Sequence, residues 1–180
     1  ASYVKEYFRA PKGSRGIATS VEVKLFREPE TLKAAIDKQL PDVLALSNYT
    51  WNEELANHFA GYLKKRHAGA LVAMGGPNYP LTKVVQESFL RNLPDVDVYI
   101  NGPTYEGERA FLNLIHRFAE GACKRESIFE QPIAGVAWIH PVEDTFTADD
   151  VGGVVERIKD LDEIPSPYLN GSLDPWFNTG

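Results

Sequence analysis

The stretch that decides the fold is residues 42–76, which read DVLALSNYTWNEELANHFAGYLKKRHAGALVAMGG. It opens with an apolar run at 42–47 and closes with another at 70–76, and such runs are typical of strands that helices cover on both faces. Between them, Leu55 and Phe59 recur at helical spacing. A strand, a helix and a second strand in this order predict two neighbouring parallel strands joined by a helical crossover. We expect both strands to be central.

Similar patterns continue on both sides of this unit. Residues 21–25 and 96–100 alternate apolar and polar side chains, which predicts strands nearer the edges of the sheet, and residues 135–138 indicate a last short strand. Apolar residues at helical spacing recur around residues 3–8, 32–40, 82–90 and 111–118. The alternation predicts an α/β domain with a doubly wound parallel sheet.

The two ends of the chain depart from this pattern. A doubly wound domain usually opens with a strand in the middle of its sheet, whereas this chain opens with helical spacing at residues 3–8. We therefore expect the first strand to be lacking in this chain. Residues 141–180 are rich in Pro, Gly and Asp, which favours an extended connection. We predict a domain at 1–140 and a linker at 141–180.

Composition excludes several classes of function. The 180 residues carry a formal net charge of −6 without a long basic run, which argues against a nucleic-acid partner. Cys123 is the single cysteine, so this chain alone forms neither a disulfide framework nor a cysteine-held metal or cluster site. Its four histidines lack metal-ligand spacing, and no catalytic residue is indicated. No apolar stretch approaches the ~20 residues that cross a bilayer. We expect a cytoplasmic protein without a membrane partner.

Three loops are expected at the carboxyl ends of the strands, where open parallel sheets bind ligands. They combine small residues, amides, hydroxyls and rings, which suits a bulky, partly apolar ligand with many amides, such as a corrin. The candidate binding residues are Ser47, Asn48, Tyr49, Thr50, Trp51, Gly75, Gly76, Pro77, Asn78, Gly102, Tyr105, Glu106 and Gly107. Each also has a simpler interpretation: Gly75 and Gly76 form an ordinary turn, Trp51 is a packing anchor, and Glu106 complements a helix dipole.

The chain also resembles a known family. The run at 41–80, with VDVYINGPTYEGERAFLNLI at 96–115 and LDEIPSPYLNGSLDPWF at 161–177, is similar to the N-terminal region of cobalamin-dependent radical S-adenosylmethionine (SAM) proteins. This resemblance implies a flavodoxin-like (Rossmann-like) domain that binds cobalamin at its strand ends. Ser47 then lies near the nucleotide tail of the cofactor, and Gly75 and Gly76 allow its close passage. Tyr105 stands where the family often has glycine.

The resemblance implies a cofactor-holding module that presents cobalamin to a neighbouring radical SAM barrel for methyl transfer or other radical chemistry. The 4Fe-4S cluster and S-adenosylmethionine would belong to that barrel, which this chain lacks. The Asp-x-His-x-x-Gly loop of many cobalamin domains does not occur in the sequence. Two alternatives stay open: a ligand-free docking or structural domain of the same fold, and, less favoured, a receiver or flavin-binding domain.

Overall fold

A computed structural model of the chain describes residues 2–9, 20–100 and 107–177. In this part of the chain, five strands form one sheet in the order β1-β2-β3-β4-β5. The strands are β1 (Val43–Ser47), β2 (Leu71–Gly75), β3 (Val98–Ile100), β4 (Val136–Ile139) and β5 (Phe146–Thr147). The first three run parallel, whereas β4 and β5 are antiparallel to their neighbours.

Helices flank the sheet. They are α1 (Ser2–Arg9), α2 (Pro29–Lys38), α3 (Glu53–Lys64), α4 (Lys83–Arg91), α5 (Gly107–Glu120) and α6 (Asp174–Phe177), with 3-10 turns at Arg125–Ile128 and Leu161–Glu163. Helix α1 packs on α5, where the rings of Tyr7 and His116 meet edge to face at 6.1 Å. Within the described residues, no helix has both the length and the apolar character to span a membrane.

Alternation along β2 divides the core between two faces. Leu71 and Ala73 join the cluster that α5 covers, whereas Val72 packs with residues of α2 and α3. Met74 faces the same way as Val72 and packs against Ala56 of α3 and residues of α4. Both faces of β2 are therefore buried, as expected for a central parallel strand. The predicted flavodoxin-like, doubly wound α/β class is confirmed, with the difference that its last two strands are antiparallel.

Three details of the predicted strands are wrong. Residues 21–25 form no strand, because an alternating pattern indicates a suitable face but cannot supply a neighbouring strand to pair with. Strand β1 lies at an edge of the described sheet, since β2 is its one described partner there. Strand β3 is internal and buried, because the antiparallel β4 and β5 extend the sheet beyond it.

The segment after residue 140 begins as part of the packed unit. Strand β5 pairs with β4, and Val155 and Ile158 are buried, with Val155 in the cluster under α5. Gly152 lies so close to Ile133 that an added Cβ would stand 2.3 Å from its carbonyl carbon. The division into a domain at 1–140 and a linker at 141–180 stays a prediction, and buried side chains continue to Ile158.

Candidate functional site

The carboxyl ends of the three parallel strands lie side by side. Ser47 at the end of β1 pairs in register with Gly75 at the end of β2, and Gly75 pairs with Ile100 at the end of β3. The loops at 47–52 and 75–80 therefore meet at one edge of the sheet, which we call the carboxyl rim. Of the third loop, the predicted residues Gly102, Tyr105 and Glu106 lie outside the described residues.

The loop after β1 is closed by its own side chains. The backbone N–H of Tyr49 donates to Asn52 Oδ1 at 2.8 Å, and Asn52 Nδ2 donates to Ser47 Oγ at 3.0 Å. Asn52 stands at the N-cap of α3, but its side chain makes no capping hydrogen bond. Its amide is used instead to fix the turn, which holds Ser47 and Tyr49 in place.

Asn48 fastens this loop to the loop after β2. Its side chain is fully buried, donates to Met74 Sδ at 3.1 Å and accepts from Asn78 Nδ2 at 3.0 Å. Asn78 also donates to Glu53 Oε2 at the start of α3, at 3.3 Å. Both amides therefore act inside the protein, and the two loops form one rigid part of the rim.

The protein's own backbone lies close to two glycines of the rim, and at Gly76 it requires glycine. Gly76 has a φ of +142°, and an added Cβ would lie 2.3 Å from the backbone oxygen of Asn48. At Gly75, an added Cβ would lie 3.3 Å from the backbone oxygen of Ile100. The glycine pair thus lets two loops and two strands approach each other closely, whatever else it allows.

Other candidates face outward. Trp51 is 79% exposed, and its indole stacks on the ring of Tyr49 with centroids 4.5 Å apart and planes at 19°. Ser47, Thr50 and Pro77 are exposed as well. At Gly107, the first residue of α5, no described atom lies within 4 Å of an added Cβ. Among the described residues, the exposed surface of the loops after β1 and β2 consequently offers hydroxyls, ring faces and backbone, beside the part-buried carboxylate of Glu53 at the start of α3.

Two buried tyrosines, which were not among the predicted site residues, pack beneath the loop after β2. Tyr79 and Tyr99 are buried and stack with centroids 4.6 Å apart. Tyr99 donates its hydroxyl to the backbone oxygen of Gly76 at 3.3 Å, whereas the buried hydroxyl of Tyr79 has no hydrogen-bond partner among the described residues. Burial raises the pKa of both phenols. No sequence signal marked Tyr99, because the alternation at 96–100 groups it with Asp97 on the polar face.

Metal ligands are not brought together at the rim. Within 2–9, 20–100 and 107–177, no group of three or more His, Cys, Asp or Glu side chains could hold a metal ion. The fold and the rim define a flavodoxin-like α/β domain whose strand ends carry exposed hydroxyls and aromatic rings.

Comparison with known proteins agrees with this class. No family model matches the chain. It is 36% identical over 155 residues to 2-(S-pantetheinyl)-carbapenam-3-carboxylate methyltransferase of Streptantibioticus cattleyicolor, covering 83% of this chain and 20% of that enzyme. It is 32% identical over 158 residues to the cobalamin-dependent radical SAM methyltransferase TokK of Streptomyces tokunonensis, with the same coverage.

The chain is therefore homologous to a region of cobalamin-dependent radical SAM methyltransferases, which confirms the predicted resemblance. It spans about a fifth of the length of the curated relatives it matches.

Proposed function

We propose that this chain is the cobalamin-holding module of a radical SAM enzyme. The observation that carries the proposal is the carboxyl rim, where exposed hydroxyls and stacked rings follow parallel strands in a homologue of a cobalamin-dependent methyltransferase. A corrin is a broad, largely apolar ring edged with amide side chains, so ring faces and neutral hydrogen-bonding groups suit it better than charges do.

The exposed residues would hold the cofactor directly. The stacked rings of Trp51 and Tyr49 offer a flat apolar face, and the hydroxyls of Ser47 and Thr50 can bond to amides. Because no described atom lies within 4 Å of an added Cβ at Gly107, a ligand would be able to approach the first turn of α5 there. When bound, cobalamin supplies the cobalt centre for methyl transfer or another radical reaction.

The remaining candidates would shape the site. Asn48 and Asn78 lock the two loops together, Gly75 and Gly76 allow their close approach, and Pro77 contributes an exposed turn. Gly102, Tyr105 and Glu106 would complete the rim from the third loop.

The proposal extends to the rest of the protein. The relatives are about five times longer than the matched region. We propose that the same protein also contains a radical SAM barrel, which binds the 4Fe-4S cluster and S-adenosylmethionine, and that residues 141–180 lead toward it. Methyl transfer, as named for both relatives, is the proposed reaction of the whole enzyme in the cytoplasm.

Titration of the chain with hydroxocobalamin tests cofactor binding. We expect the corrin absorption bands to change to saturation at one cofactor per chain. Trp51→Ala should weaken binding by about 10-fold, because it removes the exposed ring face. Tyr168→Ala, which removes an exposed ring outside the rim, should leave affinity unchanged. The absence of both a spectral change and calorimetric heat at high micromolar cofactor would contradict the proposal.

The second candidate is a ligand-free docking or structural domain. It is favoured by one observation: contacts within the protein already account for Gly75 and Gly76. Gly107→Leu separates the two candidates, since no described atom lies within 4 Å of an added Cβ there. Loss of cobalamin binding by folded Gly107→Leu supports the cofactor module, whereas unchanged activity of the whole enzyme supports the docking domain. Gly69→Leu, where an added Cβ meets only an ordinary contact at 3.7 Å, is the matched control.

A further inference from the structure

The segment after β5 is bonded to the start of α5 by an arginine. Arg109 lies in the first turn of α5, close to Gly107, and its side chain is 25% exposed. Its guanidinium donates to the backbone oxygen of Glu156 at 3.1 Å and to Glu163 Oε2 at 3.1 Å. Arg109 therefore fixes two points of the segment against the end of α5 that adjoins the carboxyl rim.

The contact with Glu163 comes just past the last buried side chains of the segment. Ile158 is buried, whereas no side chain described between residues 159 and 177 is. The hydrogen bond from Arg109 thus holds the segment at a point where apolar packing no longer does. Its pairing with Glu163 raises the pKa of the Arg109 guanidinium, and Tyr3 of α1 raises it further. Arg109 therefore connects α1, α5 and the segment.

The chain on either side of Glu163 is stiff. Glu163 ends a 3-10 turn whose N-cap residue, Asp160, accepts at Oδ1 from the backbone N–H of Asp162 at 3.0 Å. Pro165 and Pro167 follow, and a proline fixes its own φ and favours extended backbone in the residue before it. A direction set at Glu163 is therefore carried into the chain beyond it.

We propose that Arg109 is a positioning residue. By holding Glu163 against the first turn of α5, it sets the direction in which the chain leaves the α/β domain and so orients the carboxyl rim toward the domain that follows. The inference rests on the proposed function, because that following domain is the proposed radical SAM barrel. An ion pair with one exposed partner adds little to stability. The expected effect of breaking it is therefore a displaced segment, with the fold and the cofactor affinity unchanged.

Limited proteolysis with endoproteinase Lys-C tests the contact in the 180-residue chain. Lys159 is exposed and precedes the 3-10 turn, and the rate of cleavage after it follows the fraction of molecules in which the segment is detached. Glu163→Gln and Arg109→Gln should each release the fragment 160–180 about 5-fold faster, because each removes the same ion pair. Mass spectrometry of the released fragment measures the rate. An unchanged rate in both variants would overturn the proposal.

A double variant and a matched control show whether the two side chains act together. Arg109→Gln combined with Glu163→Gln should release the fragment no faster than Arg109→Gln alone, because the two changes remove one contact. Arg117→Gln alters an arginine of the same helix that donates to the backbone oxygen of Gln131 at 3.3 Å, and should leave the rate unchanged. Effects of the two changes that multiply in the double variant would count against a shared contact.

Small-angle X-ray scattering of the full-length protein encoded by the gene tests the consequence for orientation. The largest dimension of the particle should increase in Glu163→Gln, whereas Arg117→Gln should keep the value of the unaltered protein. Hydroxocobalamin titration of the same samples separates this inference from the proposed function. If the unaltered protein does not bind the cofactor, the proposed function fails. If all three proteins bind it equally and scatter alike, the positioning role of Arg109 fails alone.

Discussion

The two ends of the parallel strands bury different polar groups: a carboxylate at the amino ends and an amide at the carboxyl rim. At the amino ends of β2 and β3, Asp97 is buried and binds two cations, with Lys64 Nζ at 2.6 Å from Oδ2 and Arg125 Nε at 2.6 Å from Oδ1. The backbone N–H of Val72 also donates to Asp97 Oδ2, at 2.7 Å. Burial lowers the pKa of Lys64, an effect that its hydrogen bond to Asp97 opposes.

At the carboxyl rim, the described exposed groups of the loop after β1 are neutral. Buried amides of Asn48 and Asn78 join the loops, but Trp51 and Thr50 point outward. The comparison shows where a ligand can be accommodated. A buried charge whose bonds are satisfied within the protein has little left to offer a ligand, whereas exposed neutral groups on a rigid frame can bind one at little cost in ordering.

The largest loss of stability is expected from removing the buried carboxylate of Asp97. Asp97→Ala leaves Lys64 and Arg125 without their shared carboxylate in a partly buried place. Removing one partner of a buried ion pair costs ~3–5 kcal/mol, so the free energy of unfolding should fall by that amount. Chemical denaturation monitored by circular dichroism measures it.

An exposed ion pair is the control for this variant. Asp144 bonds Arg91 at 2.6 Å but its side chain is 78% exposed. Asp144→Asn, which keeps a residue type that tolerates the positive φ of 54° at this position, should therefore cost less than about 1 kcal/mol. Equal losses in the two variants would show that the buried ion pairs of Asp97 stabilise the protein no more than an exposed ion pair does.

A smaller loss of stability is expected where the loops after β1 and β2 contact each other at Gly76. Gly76→Ala places a Cβ against the backbone of Asn48 and forces a positive φ on alanine. We expect a loss of ~2–3 kcal/mol in the free energy of unfolding. Gly107→Ala meets no described atom and favours the helix, so it should gain ~0.5 kcal/mol. A neutral Gly76→Ala would mean that the two loops are not locked together.

Replacing each buried tyrosine by phenylalanine keeps the ring packed and removes only the hydroxyl. Tyr79→Phe removes a buried hydroxyl that has no partner among the described residues, and should raise the free energy of unfolding by about 1 kcal/mol at pH 7. Tyr99→Phe, the matched control, removes the hydrogen bond to Gly76 and should lower it by a similar amount. Urea denaturation of both variants measures the difference, and a destabilised Tyr79→Phe would contradict the assignment.

Tyr79→Phe should also change how the stability of the protein depends on pH above pH 10. Burial, with the nearby Asp149 carboxylate, raises the pKa of Tyr79 in the folded protein above its ordinary value of 10.0. The stability linked to this phenol is therefore fully present below pH 10 and is lost as pH rises further, because only the unfolded chain then ionises readily. Tyr79→Phe should lose stability less steeply above pH 10, measured by denaturation at a series of pH values. An unchanged slope would contradict this linkage.

The sequence predicted the parts of the molecule that depend on local periodicity. The strands at β1 and β2, the helix between them and the position of their loops at one end followed from residues 42–76 alone. Pairing could not be predicted in the same way. Residues 21–25 have a strand pattern but no ladder, and the antiparallel direction of β4 depends on a loop path that the pattern does not encode.

The site shows the same limit. The residue types at the rim could be chosen from the sequence, but the division between inward and outward groups could not. Asn48 and Trp51 lie three positions apart in one loop, yet Asn48 is fully buried and Trp51 is 79% exposed. That division depends on Asn78 and Met74, which approach Asn48 from a loop and strand about 30 residues away in the chain.

The smallest effect on stability is expected from the most exposed group of the rim. Trp51→Ala should lower the free energy of unfolding by less than about 1 kcal/mol, because the indole loses only its stack on Tyr49. Thermal and chemical denaturation of the variant measure the loss. A loss above about 2 kcal/mol would make Trp51 a packing anchor, the simpler interpretation that the sequence left open. A small loss together with weakened cobalamin binding would show that the ring is kept at the rim for a ligand and not for the fold.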